Sequence, residues 1–229
     1  MKKAYLLFII ISIYSTAVAQ ESNFEKPNYQ TIEKNIKDKK SDFYYPKLMA
    51  RYELSDTTMT IEQKKHLYYG YIFQPKYNPY VQSEASEKLS EVINKETLSE
   101  EDLTEIIKLS GQALKENPLD IRSLNYRLYS LEQQKKTDEL QKNLIKLEII
   151  VDALVSSGDG ISKETAFYVI DTTHEYDLLA MFGFRYAGEQ SLIEHYDYLT
   201  VAKNEENING LYFDVSPCLD FLKKKTVKN

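Results

Sequence analysis

The sequence has no tryptophan, one cysteine and three histidines, and each scarcity removes a class of function. A lone Cys218 closes no disulfide within the chain, so stability rests on packing. His66, His174 and His195 are too few for the clustered imidazoles of a typical zinc centre. Basic residues are outnumbered 29 to 35, a balance that works against unspecific binding to nucleic acid or anionic lipid. After the first 19 residues, no apolar run approaches the ~20 residues that span a bilayer.

The abundance lies in tyrosine, with 19 against 9 phenylalanines. Hydrophobic residues at 42% and charged ones at 28% describe a folded chain rather than a disordered one.

The first residues read as an export signal. Lys2 and Lys3 form a basic start, Tyr5 to Tyr14 an apolar stretch, and Ala17-Val18-Ala19 the small-x-small pattern cleaved before Gln20. The apolar stretch is half the length of a membrane span, and a lipid anchor would need a cysteine at the cut. Cleavage takes the formal charge from −6 to −8 by removing two lysines. About 210 residues remain, enough for one large or two small domains. The expected mature protein is periplasmic or secreted, with no membrane anchor.

Helical spacing dominates the next part of the chain. Asn28 predicts a cap for a helix with Tyr29, Ile32 and Ile36 inward, and Pro46 suits the first turn of a second. Thr60 with Gln63 forms a capping box, as does Ser99 with Asp102. Asp120 and Thr137 start two further helices, each with a leucine stripe. Ala113 to Asp120 has the look of a turn between tetratricopeptide repeats, but no second copy follows at the ~34-residue period. Beyond Gly158-Asp159-Gly160 the pattern changes. Ala166–Ile170, Leu178–Phe184, Ser191–Val201 and Leu211–Val215 read as strands of a small antiparallel sheet. The expected fold is α+β, with a repeat-like helical bundle first. The organisation is a signal peptide over 1–19, a polar leader over 20–26, a tetratricopeptide-like domain over 27–157 and a β-rich domain over 158–229.

Tyr44-Tyr45-Pro46-Lys47-Leu48, His66-Leu67-Tyr68-Tyr69-Gly70-Tyr71, Gly158-Asp159-Gly160 and Leu211-Tyr212-Phe213-Asp214-Val215 carry a resemblance. Together they resemble an uncharacterised domain-of-unknown-function family of exported Bacteroidetes proteins, over about Pro27 to Val215. The resemblance implies export and a similar layout, and it supplies no activity and no site residue.

Complete catalytic motifs are not found. Ser191, His195 and Asp197 share parity on the expected strand, but Ser191 and His195 would stand about 13 Å apart there. His174-Glu175 opens like a zinc-protease helix, yet Leu178 occupies the place of the second histidine. Asp171, His174, Glu175 and Asp177 offer metal-ligand chemistry, with ordinary loop polarity as the plainer explanation. Gly158-Asp159-Gly160-Ile161-Ser162-Lys163 lacks the Gly-Lys-Ser/Thr of a phosphate loop. No metal and no cofactor are expected.

His66, Tyr69, Gly70 and Phe73 fall on one helical face, where core packing competes with ligand binding. Pro75 to Tyr80 is extended by its prolines, making Tyr77 and Tyr80 candidates for an exposed aromatic patch. His66, Tyr69, Phe73, Tyr77 and Tyr80 are therefore the candidate binding residues. The expected function is a non-catalytic envelope protein that binds another exported protein or peptide. The rivals are an envelope hydrolase of carbohydrate or peptide, using Glu175, Asp177 or Asp197, and a small-ligand binder.

Overall fold

Cap chemistry sets where each helix of the first part begins. In the computed structural model, which describes residues 24–226 apart from Gln82, the Asn28 carboxamide accepts the Thr31 amide and starts α1 (Tyr29–Lys37). The expected export signal at 1–19 and residues 20–23 of the expected leader lie outside the described residues. Pro46 sits in the first turn of α2 (Tyr45–Glu53), where its missing N–H leaves no bond unmade. The capping box of Thr60 and Gln63 opens α3 (Ile61–Gly70), which tightens into a 3-10 turn over Tyr71–Phe73. Ser83 caps α4 (Glu84–Ile93) and the Ser99–Asp102 box caps α5 (Glu100–Glu116). Asp120 accepts the Ser123 amide at the start of α6 (Ile121–Gln133), and α7 (Thr137–Val155) follows.

The chain divides into two compact units, the first running over Asn28–Ala153 among the described residues. Here α1 and α2 pack on α3, α4 on α5, and α5 on α6. Leu48, Ile106, Leu119, Leu124 and Leu131 are wholly buried, each worth about 2 kcal/mol of apolar transfer. Tyrosine supplies an unusual share of this core. Tyr52 is 1% exposed and donates to the Pro118 carbonyl at 2.7 Å. Tyr52→Phe removes the donor to that partly buried carbonyl and is expected to lower stability by about 1 kcal/mol in urea unfolding.

The second unit takes Leu154 onward together with the described residues up to Pro27, and the Glu25 amide donates to the Ser156 carbonyl at 3.0 Å. Its strands are β1 (Phe167–Tyr168), β2 (Tyr186–Ile193), β3 (Tyr196–Val201) and β4 (Gly210–Asp214), in the order β1-β4-β3-β2. The β2–β3 and β3–β4 pairs are antiparallel, and β1 joins β4 in parallel through Phe167↔Phe213 and Tyr168↔Asp214. Its helices are α8 (Thr173–Met181) and α9 (Ser216–Thr226). Asp197, Leu199 and Val201 alternate with half-buried Tyr196, Tyr198 and Thr200 along β3, so one face is buried and the other lined with tyrosine. The α+β order, helices and then sheet, is the one expected.

The sheet, expected to be antiparallel, is mixed, because β1 joins β4 in parallel across the long connection that carries α8, β2 and β3. Two segments also differ from the sequence reading. Leu178–Phe184, expected as a strand, lies on α8 and the turn after it. Asp171 Oδ1 accepts both the amide and the hydroxyl of Thr173, a polar turn that launches a helix in which Leu178 and Leu179 are buried. Ser191–Val201, expected as one strand, is a hairpin that reverses at Glu194, whose φ is +65°. No helix among the described residues is long and apolar enough to cross a membrane.

Candidate ligand cleft

Tyr45, Met49 and Tyr52 stand at positions i, i+4 and i+7 of α2 and so share one helical face. That face lines an open cleft of about 880 Å³ in the helical unit, to which the 3-10 turn adds Tyr71. Its volume lies within the range of ligand sites, about 300–1,000 Å³. Across the cleft stand Gly111 and Leu114 of α5, then Leu124 and Arg127 of α6, while α7 contributes Glu139, Lys142 and Lys146.

The polar groups divide into those held in place and those left open. Arg127 donates to the Ile107 carbonyl and to Glu139 at 3.2 Å. A Cβ on Gly111 would lie 3.0 Å from the Arg127 guanidinium, so the glycine leaves space for that side chain. Lys146 pairs with Glu53 at 2.6 Å and places its ammonium 5.2 Å from the centre of the Tyr52 ring. Lys76, Lys115 and Lys142 are exposed and have no salt-bridge partner among the described residues. Tyr45 is 7% exposed, and its hydroxyl has no hydrogen-bond partner among the described residues. Burial pushes that phenol well above its ordinary range, with Tyr71 and Tyr52 adding to the effect, so it stays protonated and able to donate.

The five residues singled out from the sequence lie elsewhere in the same unit. His66 is buried, stacked on Phe43 with ring centres 4.0 Å apart. Its Nδ1 lies 2.7 Å from the Glu62 carbonyl and its Nε2 3.1 Å from the Asn35 amide nitrogen, a pair of contacts satisfied by the Nδ1–H tautomer. Desolvation holds this imidazole below its usual pKa and hence neutral. Tyr69 is fully buried, donating to the Ala153 carbonyl at 3.1 Å, and Phe73 is half-buried. Tyr77 packs edge-on against Tyr71, with centres 6.0 Å apart, whereas Tyr80 is 44% exposed. Of the tyrosines from Tyr44 to Tyr80, then, only Tyr80 presents an exposed side chain. The cleft uses a different set, and its lysines are far apart in sequence. The legible clue was the helical spacing of Tyr45, Met49 and Tyr52.

The carboxylates weighed as catalysts gather in the sheet unit. Glu175 of α8 has no exposed surface, and neither carboxyl oxygen has a hydrogen-bond partner among the described residues. Burial, then Asp197 and Asp171, pushes its pKa up to about 9, so the side chain is a neutral acid at physiological pH. Asp197 of β3 is 6% exposed and accepts from Gln190 at 2.8 Å, while Gln190 accepts from Tyr176 at 2.6 Å. Ser191 pairs with Tyr198 on the tyrosine face, opposite the face that carries Asp197. Among the described residues, no three His, Cys, Asp or Glu side chains gather where they could hold a metal ion.

This architecture defines the class: an α+β protein whose helical unit carries an open, tyrosine-walled, cation-rimmed cleft. The chain belongs to the family described as Domain of unknown function (DUF4919), whose model matches residues 30–224. Comparison with curated proteins finds no match, and neither does comparison with solved structures.

Proposed function

We propose that this protein is an exported, non-catalytic binding protein of the bacterial envelope, and that its helical unit receives an extended segment of another exported protein. The observation that carries the reading is the cleft itself, about 880 Å³ of open space walled by Tyr45, Tyr52 and Tyr71. Tyr45, Tyr52 and Tyr71 are 7%, 1% and 6% exposed, so they form a rigid aromatic floor, while half-buried Met49, Gln74 and Leu114 and the exposed lysines offer the surface that a peptide would touch. The antiparallel α5–α6 pair, joined through the Asn117–Asp120 turn, supports a tetratricopeptide-like reading of the bundle. Export rests on the charged, apolar and small-x-small pattern of residues 1–19, as in exported Bacteroidetes proteins.

Site-specific photo-crosslinking tests the proposal. A benzoylphenylalanine at Lys76, on the cleft, is expected to capture a segment of an exported protein in the native host. The same probe at Glu96, exposed and away from the cleft lining, should not. Leu114→Trp, which fills the cleft, should abolish the product by at least about tenfold while leaving the circular dichroism unchanged. Equal labelling from the two positions refutes the reading.

A further inference from the structure

Resting on that reading of the cleft, we infer that the segment it receives is acidic, and that Lys76, Lys115 and Lys142 select it. The chain as a whole is acidic, with a net charge of −6, yet five cations and two carboxylates line this cleft. Both carboxylates are already engaged, Glu53 by Lys146 and Glu139 by Arg127. The surplus is therefore the three unpaired lysines. They come from three places in the chain, the stretch after the 3-10 turn, the last turn of α5 and the second turn of α7. No basic run in the sequence puts them together; the fold does. Like charges kept around a concave, partly apolar wall repel one another and concentrate the field that draws in anions.

A second observation points the same way. Tyr45 lines the same cleft, and its hydroxyl, buried behind that wall, is a donor with no acceptor among the described residues, which an occupant that parts the wall would satisfy. Ammonium groups and a phenol O–H together supply donors in excess of acceptors, which is the complement of carboxylate and carbonyl oxygens. Half-buried Met49 and Leu114 add apolar surface that an acidic sugar would leave uncovered. The fitting occupant is a peptide in which acidic and apolar side chains are interleaved.

Three fluorescein-labelled decapeptides test this, sharing Leu and Tyr at alternate positions and carrying Glu, Gln or Lys at the others. Anisotropy in 50 mM NaCl is expected to show the Glu peptide binding about tenfold more tightly than the Gln peptide, and the Lys peptide more weakly still. Raising NaCl to 500 mM should remove most of that difference, because exposed charges are screened at that ionic strength. The triple variant K76Q/K115Q/K142Q, altered only at exposed positions, should lose the preference for Glu while holding the Gln peptide within about twofold. Equal affinity for Glu and Gln peptides, or a preference that survives the triple variant, overturns the charge assignment and leaves the peptide cleft standing. Binding of none of the three peptides by folded protein overturns both. Binding of oligogalacturonate in their place assigns the lysines to an acidic glycan and overturns the peptide assignment.

Discussion

Wild-type stability is expected to fall as pH rises from about 5 to about 9, and Glu175→Gln to remove most of that fall. Glu175 is fully buried, both its oxygens lack hydrogen-bond partners among the described residues, and Asp197 and Asp171 add unfavourable charge. Its folded pKa, about 9, stands above the ordinary value of 4.5. Between those two values the unfolded chain has released the proton and the folded chain retains it. The folded state therefore binds more protons, and unfolding becomes easier by about 1.4 kcal/mol per pH unit. At pH 7 the accumulated loss is about 3 kcal/mol. Asp197, also raised by burial, acts in the same direction. Asp102 works oppositely and in another window, since its pKa of about 2 makes its contribution present above 3.8 and lost in stronger acid. Urea unfolding of both proteins at each pH unit from 5 to 9 measures the two slopes. Parallel slopes would mean that Glu175 already reaches solvent as an ion.

Gly158→Ala is expected to destabilise the sheet unit by more than about 3 kcal/mol, the largest effect of any single methyl group in this unit. A Cβ built at Gly158 lies 2.0 Å from the Thr165 carbonyl oxygen and 2.6 Å from that of Ala166. Both obstacles are backbone atoms, so no rotamer change relieves the clash. The same loop is fixed by hydrogen bonds, with Asp159 and Gly160 amides donating to Thr165 O at 3.0 and 2.8 Å. Thermal unfolding followed by near-ultraviolet circular dichroism measures the change, and an unaltered melting temperature would refute the close packing. Gly160→Ala makes a useful companion, because its φ of +73° adds backbone strain to a 2.8 Å approach to the Phe167 ring.

Local signals carried most of the helical unit. Asn28, Thr60, Ser99 and Asp120 each cap the helix that their side chains predict, because capping depends only on residues within one turn. The sheet was less legible. Leu178–Phe184 is a short apolar run, and such runs carry no period that separates a buried strand from a buried helix. The hairpin between Ser191 and Val201 was hidden because its turn holds Glu194 and His195 rather than glycine or asparagine. Gly158 admits two carbonyls from a later loop, a contact invisible to local pattern. The cleft was legible only in part. Tyr45, Met49 and Tyr52 share a face by helical arithmetic, but Lys76, Lys115 and Lys142 converge only through the packing of three segments distant in sequence.

The strand order has a consequence for biogenesis. β4 is made last of the four strands, yet it lies inside the sheet, between β1 and β3. Phe167 and Tyr168 therefore emerge from the ribosome without a partner and wait until Gly210–Asp214 has been synthesised. Until then only the β2–β3 hairpin can form, and an isolated hairpin is marginal in water. The sheet unit therefore completes its hydrogen-bonded ladder only when its last strand arrives, and truncation before Gly210 would leave β1 with no partner.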